Sequence, residues 1–219
     1  MPLTRRPLFY GLCLLAGSLL VGVAGLMHPL LKGDGAEQLA TVAATAHWRA
    51  IHWALLFGLP LMYMGLIGVA LRHHGTPGSA PARAGVLLAG FAFGAWALNV
   101  LFMVGAGWHL SQAFTTSDKA LTATHAVFLY DMLHPAGLAA ERLATFALGL
   151  VAYVFGWTIL NGQVYPRWLG WAAFAVAVTN AAVAVVFSEF SPNLYYGQAL
   201  FVAWLVATAA VMLAERRPV

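Results

Sequence analysis

Long apolar stretches interrupted by short polar clusters set the pattern of this chain. Six runs stand out, Leu8 to Met27, Trp48 to Leu71, Ala84 to Gly107, Gly137 to Leu160, Trp168 to Phe187 and Tyr195 to Leu213, each about 19 to 24 residues long. At about 1.5 Å of rise per residue, a helix of that length crosses a hydrocarbon layer of about 30 Å. In lipid the backbone must satisfy its own polar groups, so the runs predict helices rather than open strands. The expected fold is all-α, a polytopic bundle of six transmembrane helices forming one integral-membrane domain over residues 1–219.

The polar breaks differ in kind. Residues 72–83 form a Gly/Pro-rich loop, and 161–167 a tight turn. The breaks on the other side are longer. Ala36 to His47 has a helix-forming composition and extends the second run outward, whereas Ser117-Asp118 offers an N-cap and acidic first turn for a short extra helix reaching Leu133. That helix is apolar but too short to span, which predicts an interfacial position between the third and fourth transmembrane helices.

Composition sharpens the class. The chain of 219 residues is 62% hydrophobic and only 8% charged, where soluble domains carry about 25% charged residues. The net charge of +4 is spread singly between apolar runs, which argues against a nucleic-acid partner and for the lipid bilayer. Arg5, Arg6, Arg72, Arg83, Arg167, Arg216 and Arg217 fall on one side, leaving Lys32, Arg49, Lys119 and Arg142 on the other. The richer side is expected to be cytoplasmic, with both termini there and a multi-pass location in a bacterial inner membrane. Arg5 and Arg6 before an apolar run resemble a signal peptide, but the run is too long for an h-region and reads as a retained helix. The single Cys13 excludes an intrachain disulfide or a Cys-based zinc site.

Histidine supplies the candidate chemistry. Of eight, His73 and His74 fall in the expected cytoplasmic loop, and His28, His47, His52, His109, His125 and His134 at or beyond the outer ends of the helices. Counting from the cytoplasmic ends puts His28 and His52 both about 30 Å up, so the two should share a level. Imidazole is the commonest metal ligand and, as an axial pair, holds haem iron. The leading expectation is therefore a haem b or transition-metal site near the outer face, with His28, His52, His109 and His134 as ligands. Asp131, Glu141 and Glu189 would supply oxygen ligands or supporting contacts, and Gly22, Gly25, Gly105 and Gly107 room for a macrocycle. Such a chain would be an electron-transport or oxidoreductase subunit exchanging electrons with quinol. The alternatives are a non-catalytic assembly or scaffolding subunit of a larger membrane complex, and a small transporter. No HExxH, paired cysteines or GxSxG motif is present, and no lysine lies within a span to carry a Schiff base.

The remaining polar residues read structurally. Glu141 and Arg142 open the fourth run, close enough to its boundary to snorkel or to form an ion pair, and no acid lies at mid-depth as a pump would require. Asn99 and Asn180 suit interhelical hydrogen bonding, Gly90-x-x-x-Gly94 suits close helix packing, and Pro29 and Pro135, each after a histidine, suit helix ends.

Overall fold

The structure, a computed structural model, describes residues 6–116 and 118–214, without the side chains of Arg6 and Pro7. Arg5, Ser117, Glu215, Arg216 and Arg217 therefore lie outside the described residues. The elements are α1 (Arg6–Met27), α2 (Gly35–Ala44), α3 (Trp48–Arg72), α4 (Ser79–Phe102), a π-helical turn (Met103–Gly107), α5 (Trp108–Thr116), α6 (Ala120–Gly162), α7 (Arg167–Val186) and α8 (Asn193–Ala214). Among the described residues, six helices are long and apolar enough to cross a membrane. They follow one another around the bundle: α1 packs on α3, α3 on α4, α4 on α6, α6 on α7, α7 on α8, and α8 closes onto α1. Gly11 near the start of α1 touches Leu213 near the end of α8, so both described ends lie on one face, called here the terminal face. The opposite end, carrying α2, α5 and the first half of α6, is the loop face.

Two of the six runs extend much further than a bilayer requires. The separate interfacial helix expected before the fourth run is continuous with it, so that α6 is 43 residues long, about 65 Å. Pro135 sits inside this helix rather than ending it. Similarly, α4 continues through the π turn into α5. The Met103 carbonyl accepts the Trp108 backbone N–H across that turn and, on its second lone pair, the indole N–H of Trp48 at 3.1 Å. Trp48, Leu39, Val42, Met103, Ala126 and Tyr130 then form a second apolar core under α2, apart from the main core of the spans.

The stretch expected to extend the second run is instead the independent helix α2. Asp34 caps it: its side chain accepts from the Glu37 N–H at 3.0 Å, while the Glu37 carboxylate accepts from the Asp34 N–H at 3.1 Å. This reciprocal box satisfies two of the helix's orphan donors. Asp34→Ala should lower the unfolding free energy by about 1 kcal/mol, measured by denaturant titration in mixed micelles, with hydrogen exchange rising first in α2.

Lipid tails give helices no hydrophobic reason to associate, so close backbone approach matters more in the spans than in a soluble core. The α1–α3 pair supplies it through Gly17, Gly58, Gly65 and Gly68, which face Met62, Val21, Leu14 and Tyr10 across the seam. The expected close-packing pair performs otherwise. Gly94 faces open space and Gly90 meets only the Tyr63 ring.

Candidate functional site

The expected haem or metal centre is not formed. His28 and His52 do share a level, but their rings touch directly, 5.0 Å between centroids and inclined at 63°, which leaves no space for a macrocycle between them. Trp48 packs against both, at 5.1 Å and 4.2 Å. His52 also donates Nδ1–H to the Trp48 carbonyl at 2.8 Å, which fixes its tautomer. His134 lies elsewhere, buried between Tyr130 at 4.6 Å and Phe102 at 5.8 Å. His109, His47 and His125 are exposed, and Asp131 is exposed beside Gly35. Among the described residues no group of three or more His, Cys, Asp or Glu side chains is placed to hold a metal ion. The redox-subunit reading falls with the centre it required, and so does the electron-transport role built on it.

Of the two charges opening the fourth run, Arg142 forms the expected ion pair, between helix ends, and Glu141 does not. Arg142 turns outward: its Nε donates to the Ala184 carbonyl at 2.7 Å and its Nη1 to Glu189 at 3.0 Å. It thus caps the C-terminal end of α7, where a cation is favoured by the exposed carbonyls. Its neighbour Glu141 turns the other way and is only 5% exposed. The side chain that sequence position suggested would snorkel is instead enclosed by the bundle.

Three helices meet at Glu141. Asn99 of α4 donates its Nδ2 to Oε2, and Gln198 of α8 donates its Nε2 to Oε1 at 3.1 Å. Gln198 also donates to the Thr145 hydroxyl at 3.1 Å, which itself donates to the Glu141 backbone carbonyl at 3.0 Å. Both carboxyl oxygens are therefore engaged, and neither partner is a base. Asn99 can come this close because Gly137 has no side chain; a Cβ there would lie 2.6 Å from Asn99 Oδ1. That Oδ1 is itself buried without a hydrogen-bond partner among the described residues. Beside the group, Asn180 of α7 donates to the Gly197 carbonyl at 2.9 Å, tying α7 to α8 one residue before Gln198.

The level of this network follows from helix geometry. Glu141 is 21 residues from Gly162, about 31 Å from the terminal-face end of α6, and its neighbour Arg142 meets the loop-face end of α7. The network thus lies near the loop-face end of the spans. Below it, towards the terminal face, Met62, Leu66, Ala92, Leu148, Phe201 and Leu205 are packed with at most 0% exposure. Gln198 was not singled out by sequence. A lone glutamine near the start of an apolar run carries no periodic signal, and only the α6–α8 contact gives it a partner.

At the opposite end, His73 departs from its expected place in a solvated loop. Its neighbour His74 is exposed, but His73 is fully buried between Gly78, Gly162 and the Tyr165 ring. Neither ring nitrogen has a hydrogen-bond partner among the described residues. Burial, and secondarily the adjacent Arg72 charge, lowers its pKa to about 4. A histidine held below its unfolded value of about 6.5 contributes stability above that pH and loses it as pH falls towards about 4. The melting temperature should therefore drop between pH 6.5 and 4 more steeply in the native protein than in His73→Leu, as followed by intrinsic fluorescence in detergent.

Comparison with models of protein families, with curated proteins and with solved structures returns no match.

Proposed function

We propose that the protein is a small membrane transporter whose binding site is the network centred on Glu141, with its termini on the cytoplasmic side. One observation carries this reading: an acid enclosed by three helices in the spanning region, held by neutral amides and by no base. An ionisable group inside a membrane is expensive, and where one persists it commonly marks a substrate or ion path. A purely structural tie between α4, α6 and α8 needs only amides, as Asn180 shows between α7 and α8. Glu141 adds a charge that packing does not require. The packed apolar layer towards the terminal face closes that side, so the site in this conformation is nearer the loop face, and release on the other side requires rearrangement of α6 against α4 and α8.

A scaffolding subunit is the competing reading, and ligand binding separates the two. A solute that binds the folded state raises the melting temperature. A panel of amino acids, ammonium compounds, monocarboxylates and sugars should include at least one that stabilises the native protein and has lost that effect in Glu141→Gln. No stabilisation by any of them, together with purification in fixed stoichiometry with other membrane subunits, would reject the transporter.

A further inference from the structure

We propose that the ion taken up at Glu141 is a proton, and that it enters from the loop face through His28 and Tyr195. The inference rests on the transporter reading and names the species which the same site accepts.

The donor set argues for a proton over a larger cation. Both carboxyl oxygens already receive amide N–H groups, from Asn99 and Gln198, so hydrogens rather than oxygen donors surround the carboxylate. The acid form is equally well served. Rotating the Asn99 amide by half a turn exchanges its Nδ2 for its Oδ1, the buried oxygen that now lacks a partner, and this oxygen can then accept the carboxyl O–H. The site therefore matches both protonation states with one side-chain rotation and no change in volume.

The route follows from helix spacing and ring distances. Tyr195 and Gln198 are three residues apart on α8, so they share a face, with Tyr195 one turn nearer the loop face. Tyr195 is 39% exposed, and its ring lies 6.1 Å from that of His28, which is partly exposed just beyond α1. His52 of α3 backs His28 from inside, with its Nδ1–H already committed to Trp48. On α6, Tyr130 donates to Gln38 of α2, and His134 is buried against aromatic rings. The nearby charges Arg142 and Glu189 are engaged with each other. Burial holds the His28 imidazole below its usual range, countered in part by the Pro29 backbone, so it is neutral at pH 7 and able to accept.

The transfer balances. A proton from loop-side water adds to the unprotonated nitrogen of His28. The Tyr195 oxygen takes a proton from the imidazolium side and releases its own towards the Glu141 carboxylate, bridged where necessary by water. His28 and Tyr195 end neutral, and one proton has moved from bulk water to Glu141.

Proteoliposomes containing a pH-sensitive dye, with the membrane potential clamped by potassium and valinomycin, test this directly; the probe is the proton itself. The native protein should dissipate an imposed pH gradient faster than protein-free vesicles, and Glu141→Gln should not. Tyr195→Phe, which removes only the hydroxyl of a partly exposed side chain, should slow proton flux by about tenfold or more, on the scale of losing a proton-transfer group. His28→Ala should do likewise and recover in the presence of external imidazole, a rescue that a packing defect would not show. Full proton flux in both Tyr195→Phe and His28→Ala, with Glu141→Gln inactive, overturns the route and leaves the transporter standing. Solute flux in the native protein without any proton movement overturns the proton as the ion. Solute flux undiminished in Glu141→Gln overturns Glu141 as the binding site, and with it the reading on which the proton rests.

Discussion

Glu141→Ala is expected to lower the free energy of unfolding by about 2–5 kcal/mol, whereas Glu141→Gln stays within about 1 kcal/mol of the native protein. The alanine variant leaves the Asn99 and Gln198 amides as buried donors without an acceptor, and each such group costs about 1–3 kcal/mol. Glutamine keeps the volume. Its carbonyl can accept from one amide, and its own NH₂ can donate to Asn99 Oδ1 once that amide turns, so the network remains connected. Transport behaves differently: glutamine cannot take up and release a proton at neutral pH, so both variants lose flux. Unfolding by an added anionic detergent in mixed micelles reads the first quantity, and vesicle flux the second. The separation matters because a merely structural Glu141 would leave Glu141→Gln close to native in both.

Gly17→Ala should destabilise the bundle by about 1–3 kcal/mol, the range for forcing a methyl group into a filled space. The added carbon would lie 2.6 Å from the Met62 nitrogen and 2.7 Å from the Gly58 carbonyl oxygen. Both are backbone atoms on α3, so no rotamer change relieves the contact, and α1 must move away along the seam. Gly94→Ala is the control. Its Cβ meets nothing within 4 Å, so the change should be neutral or stabilise helix α4 by about 0.5–1 kcal/mol. Comparable losses for the two variants in mixed-micelle unfolding would show that the seam is not where close approach is needed.

The spans were legible because lipid imposes one length and one backbone solution on every crossing. The ends of α1, α3, α7 and α8 fall within about two residues of the apolar runs. Less legible was the continuation of α4 into α5 and of α6 across Pro135. In α6 a proline suggested an end, but the helix tolerates it with tertiary support from α2, α4 and α5. Depth counting placed His28 and His52 at one level correctly, yet level says nothing about ring separation, and the rings meet edge to face instead of framing a cofactor. Glu141 departs from its expected place for a related reason. Its distance from the helix end suggested access to the surface, but which way a side chain points around a helix depends on the neighbours. Adjacent residues are about 100° apart, so Arg142 reaches the end of α7 while Glu141 faces Asn99 and Gln198. Asn99 and Asn180 suit interhelical hydrogen bonding by sequence, and both make such bonds; what sequence lacks is the acid that Asn99 serves.

The central claim is that Glu141 is a translocation site. Counterflow tests it most directly: vesicles preloaded with unlabelled amino acids, ammonium compounds, monocarboxylates and sugars, then diluted into labelled solutes of the same classes, with native protein or Glu141→Gln matched for melting temperature. The account predicts accumulation of at least one labelled solute by the native protein and, for Glu141→Gln, only the level of protein-free vesicles. Equal accumulation by the two proteins, or none by either, would contradict it.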